Sequence, residues 1–311
     1  MTLKIQENIP IAPLTTFRIG GSARYFVDVA CEADVLEAIR WATERRIRYV
    51  VLAGGSNVLI PDEGLDALVL HITAGESSFV GRTLTADFGC NLLQLIRTAA
   101  EKSLGGWEKL AGIPGSIGGA VRGNAGAFGP EIKDFIVSVR ALNSETSEVK
   151  EFVNTECDFS YRHSFFKDNP KWIITSVQVR LEPVHSAESL RRIEETIVER
   201  EKRHLQNVQA AGSFFMNPTA PADIVTMFEI EKHVKSRENR VPAGWLIEKA
   251  GMKGAKVGGA IASIQHPNYI VNTGGATARE VLELAKMIKT EVKKQFGVEL
   301  KEEAAILANE V

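Results

Sequence analysis

Two glycine-rich segments, about sixty residues apart, contain the residues best suited to hold a phosphate group. Glycine has no Cβ, so backbone N–H groups approach a phosphate closely, and serine and asparagine add further donors. We therefore predict one diphosphate held from two sides, by Ala53, Gly54, Gly55, Ser56 and Asn57 in the first segment and by Gly112, Pro114, Gly115, Ser116, Gly118, Gly119, Ala120, Asn124 and Gly126 in the second. Tight turns between strands would also require glycines, and this alternative stays open.

Neither glycine segment matches the common nucleotide-binding motifs. No Gly-Lys-Ser/Thr follows either segment, which excludes a Walker motif, and neither fits the G-x-G-x-x-G fingerprint of Rossmann domains. A nucleotide held by these segments therefore requires a different fold.

Three further residues are of types that act on substrates. Arg162 follows Tyr161, and a planar guanidinium binds a carboxylate through two parallel hydrogen bonds, although the spacing by itself favours an ordinary strand with a solvent-facing arginine. Ser213 lies between a glycine and two phenylalanines, which suits either a proton donor in a dry pocket or a turn that enters a strand. It lacks the G-x-S-x-G context of a hydrolase nucleophile. Glu303 lies in an acidic tail, where carboxylates are usually solvated.

The composition excludes several classes of partner. A net charge of −2 with 24% charged residues provides no field that would attract nucleic acid or an anionic membrane. We expect no transmembrane segment, no signal peptide and no metal site, because the chain lacks a long apolar run, a leader pattern and an H-E-x-x-H motif. Three cysteines without a C-x-x-C pair favour a reduced, cytoplasmic setting. The oligomeric state is open, with a monomer favoured.

The hydrophobic pattern predicts an α+β protein with at least two modules and a boundary near Arg200. Alternating and β-branched residues predict strands at Tyr25–Val29, Tyr49–Ala53, Ala67–Ile72, Thr83–Asp87, Phe135–Leu142, Val149–Val153 and Trp172–Leu181. Apolar residues at helical spacing, with capping signals, predict helices at Glu32–Arg45, from Asn91 to Leu104, and at His185–Arg200, Pro242–Ala250 and Thr277–Phe296.

Taken in order from Pro13 to Glu303, these segments resemble the UDP-N-acetylenolpyruvoylglucosamine reductase family over nearly the whole chain. The resemblance implies a vanillyl-alcohol-oxidase-type FAD-binding unit of two α+β subdomains and a C-terminal α+β domain that binds the UDP-sugar. The implied bounds are 1–63 with a C-terminal return at 297–311, then 64–200, then 201–296. The short spacing between Gly251 and Thr277 resembles the branch that lacks an inserted substrate-closing loop.

The resemblance also implies a reaction and a role for each residue. NADPH would reduce FAD, and hydride from flavin N5 would reach the enolpyruvyl group of UDP-N-acetylglucosamine enolpyruvate, giving UDP-N-acetylmuramate for peptidoglycan synthesis. Ser213 matches the general acid, while Arg162 and Glu303 match the residues that stabilise the enolate, which requires a raised pKa for Glu303. Tyr161 and Asn217 match residues of the UDP-sugar site.

Departures from the family pattern leave alternatives open. Met216 stands where the family usually has lysine, and Arg122 stands where an apolar residue is expected. Lys301-Glu302 replaces the usual Glu-Pro, and Ala304-Ala305 replaces the usual valine and basic residue. Because of this last change Glu302 is not excluded as the acid, although counting along the loop favours Glu303. The alternatives are another FAD-dependent oxidoreductase of the same fold, a non-catalytic paralogue that binds FAD or a UDP-sugar, and a structural α+β protein with coincidental glycines.

Overall fold

The computed structural model describes residues 3–73, 75–203 and 208–309, which form two compact units. Unit 1 contains the described residues up to Ile9, together with Ala23–Gly54 and Asp66–Lys202. Unit 2 contains Pro10–Ser22, Gly55–Leu65 and the chain from Arg203 onward. The change of unit after Lys202 lies close to the boundary predicted near Arg200, while the division into three domains stays a prediction.

The strands of the described residues are, in chain order, β1 Gln6–Pro10, β2 Ser22–Val29, β3 Tyr49–Leu52, β4 Val58–Leu59, β5 Leu65–Ile72, β6 Ser77–Val80, β7 Thr83–Asp87, β8 Leu104–Gly105, β9 Ile136–Asn143, β10 Val149–Val153, β11 Trp172–Arg180, β12 Glu182–Pro183, β13 Lys256–Val257, β14 Ala260–Ala262, β15 Ile270–Asn272 and β16 Ala305–Ile306. The helices are α1 Glu32–Glu44, α2 Leu92–Glu101, α3 Ile117–Arg122, α4 Phe165–Asp168, α5 Ser186–Arg203, α6 Ala222–Lys232, α7 Ala243–Lys249 and α8 Ala278–Phe296. This mixture of helices and largely antiparallel sheets confirms the α+β class.

Unit 1 is built around two sheets. One has the order β1-β2-β5-β3, in which β3 and β5 run parallel with Tyr49 opposite Leu68. The other is antiparallel, with the order β10-β9-β11-β7-β6. Helix α1 buries Val35 and Ile39 on the face that its apolar spacing predicts. Six of the seven predicted strands are confirmed within two residues at each end, and β2 begins at Ser22, three residues before the predicted start at Tyr25.

Helix α2 starts where the sequence predicts but ends earlier. The Asn91 side chain accepts a hydrogen bond from the Gln94 amide at 3.0 Å, so the predicted N-cap is confirmed. The helix stops at Glu101 rather than Leu104, and Ser103 has a positive φ of 59°. Leu104 leaves the helix because Leu104–Gly105 pairs with β12, a long-range contact that local propensity does not encode.

Unit 2 has its own buried core. Phe214, Phe215, Leu246 and Leu284 are all buried in one cluster, to which α7, α8 and the sheet β13-β14-β15 contribute. The predicted capping box of α8 is confirmed, since the Thr277 hydroxyl accepts from the Glu280 amide at 3.1 Å. Strand β16 pairs in parallel with β4, so the described part of the predicted C-terminal return is hydrogen-bonded to the N-terminal half of the chain. Residues 310–311 of that return lie outside the described residues.

No helix in the described ranges is both long and apolar enough to cross a membrane. The same ranges contain no group of three or more histidine, cysteine, aspartate or glutamate residues arranged to hold a metal ion. Cys31, Cys90 and Cys157 are free thiols, and burial raises the pKa of Cys157 to about 12.

Candidate active site

The second glycine segment in unit 1 is a loop that leads into the short helix α3. Ser116 caps this helix, because its Oγ accepts a hydrogen bond from the Gly119 amide at 3.2 Å. The Gly118 amide donates to the Phe88 carbonyl at 3.0 Å, which fixes the start of α3 against the segment that follows β7. Gly112 and Gly115 have φ values of 78° and 111°, which favour glycine at both positions.

The two glycine segments approach each other within unit 1. A Cβ placed on Gly54 would lie 3.2 Å from the Gly115 Cα, so neither backbone leaves room for side chains between them. Gly54, Pro114 and Gly119 are exposed, whereas Gly118 is buried. Exposed glycine backbone on two converging loops is the arrangement that a diphosphate requires, so the residues present fit a dinucleotide cofactor.

The first glycine segment continues into unit 2 after Gly54. Gly55 has a φ of 57°, and a Cβ there would collide with the Leu14 carbonyl oxygen. The Gly55 carbonyl accepts from the Thr16 amide at 3.1 Å, and the Thr16 hydroxyl donates to the Ala210 carbonyl at 2.7 Å. Thr16 therefore holds the end of the glycine segment beside the Ser213 region, a role that we did not predict from its sequence.

The Asn124 side chain makes hydrogen bonds within the interior of unit 1. It is fully buried, donates to the Ser160 carbonyl at 2.8 Å and to the Glu131 carboxylate at 3.0 Å, and accepts from the Lys133 amide at 3.3 Å. The amide group has then used both hydrogens and its oxygen within the protein. The prediction that Asn124 contacts a cofactor therefore concerns only the backbone groups of this residue.

Arg162 lies in a tight turn and not in a strand, so the strand interpretation of this segment is wrong. Ser160 and His163 exchange backbone hydrogen bonds at 3.2 and 3.1 Å, which closes the turn, and Arg162 has a φ of 57°. The Arg162 guanidinium lies 5.3 Å from the centre of the Tyr161 ring and donates to the Gly126 carbonyl at 3.3 Å. Arg162, Tyr161 and the end of the second glycine segment are thus neighbours in unit 1.

In unit 2 the Ser213 segment pairs with the C-terminal tail. The Glu303 amide donates to the Phe214 carbonyl at 2.8 Å, and the Met216 amide donates to the Lys301 carbonyl at 2.9 Å. These bonds align the two stretches as antiparallel neighbours, so Ser213 and Glu303 are brought into one region of unit 2.

Asn57 joins the first glycine segment to this region. Its side-chain amide donates to the Glu303 carbonyl at 3.1 Å, and its own carbonyl accepts from the Ala305 amide at 2.9 Å. The residue that we predicted as a cofactor ligand therefore also fixes the backbone of the predicted catalytic acid.

Asn268 is a second site residue that we missed. It is buried and makes three bonds to the phenylalanines beside Ser213: its carbonyl accepts from the Phe214 amide at 2.7 Å, its side-chain oxygen accepts from the Phe215 amide at 3.0 Å, and its side-chain nitrogen donates to the Phe215 carbonyl at 2.8 Å. The signal that pointed to it was its position at the start of the family-like segment 268–278.

Asn217 caps the start of α7. Its side-chain oxygen accepts from the Ala243 amide at 3.0 Å, and its carbonyl accepts from Arg240 at 3.2 Å. Its predicted role in the UDP-sugar site stays a prediction.

The predicted site residues are divided between the two units. Unit 1 contains Ala53, Gly54, Gly112, Pro114, Gly115, Ser116, Gly118, Gly119, Ala120, Asn124, Gly126, Tyr161 and Arg162. Unit 2 contains Gly55, Ser56, Asn57, Ser213, Asn217 and Glu303.

Two family models match the chain. Residues 23–152 match the FAD binding domain model, and this matched range includes both glycine segments up to Gly126. Residues 203–307 match the model for the C-terminal domain of UDP-N-acetylenolpyruvoylglucosamine reductase, which contains Ser213, Asn217 and Glu303.

Relatives match almost the full length of the chain. The UDP-N-acetylenolpyruvoylglucosamine reductase of Carboxydothermus hydrogenoformans is 36% identical over 97% of this chain and 94% of its own length. That of Solibacter usitatus is 34% identical over 97% of this chain and 96% of its own length. The crystal structure of the Thermus caldophilus reductase covers 99% of this chain and 100% of its own, with a TM-score of 0.75 and 28% identity.

The full-length identity, the two domain models and the converging glycine loops all agree with the family expected from the sequence. The chain therefore belongs to the UDP-N-acetylenolpyruvoylglucosamine reductase family of FAD-dependent oxidoreductases.

Proposed function

We propose that this protein uses NADPH to reduce UDP-N-acetylglucosamine enolpyruvate to UDP-N-acetylmuramate, a step of peptidoglycan precursor synthesis in the cytoplasm. The observation that carries the proposal is the pairing of the Ser213 segment with the Glu303 tail, with Asn57 bonded to the Glu303 backbone. Bound FAD supplies the hydride chemistry, and the residues of the chain bind, orient and protonate the substrate.

Ser213 donates the proton to the substrate carbon. The two residues that follow it, Phe214 and Phe215, are 1% and 0% exposed and are held by Asn268, so the backbone that carries the hydroxyl is rigid. A serine hydroxyl is a weak acid, but an enolate in a water-poor pocket is a strong base, which makes the transfer feasible.

Arg162 and Glu303 stabilise the charge that develops on the enolpyruvyl group. A guanidinium pairs with the substrate carboxylate through two parallel hydrogen bonds. The Glu303 carboxyl, holding a proton, donates a hydrogen bond to the same charge as it grows. Tyr161 and Asn217 contact the UDP-sugar.

The test is NADPH consumption by the flavin-loaded protein with and without UDP-N-acetylglucosamine enolpyruvate. We expect substrate-dependent turnover that Ser213→Ala lowers by at least about a hundredfold, the lower end of general-acid contributions. Ser78→Ala, on the exposed strand β6, is the matched control and should keep the parental rate.

If both substrates react in turn at one FAD site, initial-rate lines should run parallel, as in a ping-pong mechanism. Reduction of the bound flavin by NADPH without substrate-dependent turnover would instead favour another acceptor. The absence of any NADPH reaction would favour a non-catalytic paralogue.

A further inference from the structure

The tail of unit 2 carries two adjacent glutamates whose neighbours alternate between buried and exposed. Val298, Leu300 and Ala304 are 3%, 2% and 4% exposed, while Glu299 and Lys301 between them are exposed. Side chains of an extended segment point to opposite faces in turn. Glu302 therefore belongs to the core face of the tail segment (298–304), and Glu303 belongs to its outward face.

A carboxylate on the core face needs a partner, because burial of an unpaired charge is costly. The Glu302 side chain is only 27% exposed, and its Oε1 lies 2.7 Å from the Nζ of Lys289 on α8. Lys289 thereby makes the core-face position acceptable for a glutamate.

The backbone around Glu303 is fixed at two other points. Its amide donates to the Phe214 carbonyl at 2.8 Å, and its carbonyl accepts from the Asn57 side chain at 3.1 Å. A slip of the tail by one residue would exchange the faces of Glu302 and Glu303. The backbone bonds do not by themselves prevent such a slip, because any residue of the tail offers the same groups. Buried Val298, Leu300 and Ala304 oppose the slip, because it would turn them outward, but they share their face with the carboxylate at position 302, which must be accommodated there.

We propose that the Lys289–Glu302 ion pair, together with the buried apolar residues of the same face, holds the register of the tail segment, so that Glu303 and not Glu302 is presented for the reaction. The pair makes Lys289 and Glu302 positioning residues that act through Glu303. This inference rests on the proposed function of Glu303.

The chain provides a matched control one helical turn away. Lys293 on α8 pairs with Glu299 of the same tail at 2.6 Å, but the two side chains are 63% and 67% exposed. This second pair lies on the outward face, in solvent, and exposed ion pairs contribute little. Lys293→Met should therefore leave both turnover and the register unchanged.

The decisive variants are Lys289→Met and the double variant Lys289→Met/Glu302→Leu. The single variant leaves Glu302 unpaired on the core face, so we expect kcat to fall by about tenfold or more through misplacement of Glu303. The double variant replaces the ion pair with apolar side chains that suit the core face, so we expect turnover to return toward the parental rate. A structural defect elsewhere in the protein would not be repaired by a second substitution in the same pair.

Amide hydrogen exchange tests the register without relying on activity. We expect the Glu303 amide to exchange faster in Lys289→Met than in the parent, and at the parental rate in the double variant and in Lys293→Met. Parental exchange and parental kcat in Lys289→Met would overturn the proposal. So would a folded double variant without turnover, which also serves as the test if the single variant does not fold.

Glu303→Gln separates this inference from the proposed function. Loss of turnover in Glu303→Gln is expected under both the proposed function and the proposed role of the ion pair. Full turnover in Glu303→Gln would overturn the catalytic role of Glu303, whereas the exchange data would still decide whether the ion pair sets the register.

Discussion

Gly118 and Gly119 are consecutive residues of α3, yet they lack a side chain for different reasons. A Cβ on Gly118 would lie 2.9 Å from both the Cβ and the carbonyl oxygen of Phe88, closer than packed atoms allow. A Cβ on Gly119 would lie 3.6 Å from Ser116 Oγ, its nearest described neighbour apart from the backbone of the helix itself. This distance is an ordinary van der Waals contact. Internal packing thus requires glycine at 118 but not at 119.

Gly118→Ala should therefore destabilise the protein by about 1–3 kcal/mol, as overpacking of a buried site does. Gly119→Ala should keep or raise stability, by up to about 1 kcal/mol from helix propensity, but should weaken FAD binding by about tenfold because the cofactor approaches this exposed backbone. Urea unfolding of the apoprotein and fluorescence titration with FAD measure the two effects. Undiminished FAD affinity in Gly119→Ala would contradict the assignment of this glycine to the cofactor.

At the level of elements, α8 depends on a residue far from it in sequence. The Asp62 carboxylate accepts from the Ala278 amide at 2.7 Å and from the Arg279 amide at 3.1 Å. A negative charge at the first turn also interacts favourably with the helix dipole. Asp62 and the Thr277–Glu280 capping box together satisfy the start of the helix that carries Lys289.

We expect Asp62→Ala to lower the free energy of unfolding by about 1–2 kcal/mol, the usual cost of losing a helix cap. Asp66→Ala is the comparison, because it removes an aspartate whose ion pair with Arg24 at 2.9 Å is exposed, and it should cost less than about 1 kcal/mol. Urea denaturation with a common m-value measures both. Equal losses in the two variants would show that the Asp62 cap contributes nothing beyond surface charge.

At the scale of the whole molecule, several carboxylates are stabilised in their charged form. The Lys249 ammonium, 2.7 Å away, is the largest cause that lowers the pKa of Glu231 to about 2. The Arg140 guanidinium lowers the pKa of Glu32, and the Thr277 and Gly259 amides lower that of Glu280. A carboxylate whose folded-state pKa is depressed adds stability above its unfolded pKa, and this stability is lost as the pH falls through the folded pKa.

The thermal midpoint should therefore decrease as the pH falls from about 4.5 towards about 2, the window given by Glu231. Glu231→Gln should make this decrease shallower, because the variant has no carboxylate to protonate at that position. Glu283→Gln, on the exposed face of α8, is the control and should follow the parental curve. Scanning calorimetry across this range gives the comparison, and identical slopes for Glu231→Gln and the parent would refute the linkage.

Local patterns were enough to predict much of this protein. Strands Thr83–Asp87 and Val149–Val153, the Asn91 cap and the α8 helix with its Thr277 box all have the predicted residues. Their signals lie within one element, in side-chain alternation, helical spacing and capping residues. The glycine segments were likewise recognisable as close-approaching backbone, because the absence of side chains is visible in sequence, and their role as a phosphate cradle stays a prediction.

The tertiary structure decided the features that depend on distant partners. The early end of α2, the turn at Arg162, and the missed helix α6 and strands β13–β15 all arise from contacts or turns without a strong local pattern. The contacts behind the proposed choice of Glu303 over Glu302 are also of this kind. Lys289 pairs with Glu302, and the Asn57 side chain bonds to the Glu303 carbonyl across 246 positions, a distance over which no local spacing encodes a bond.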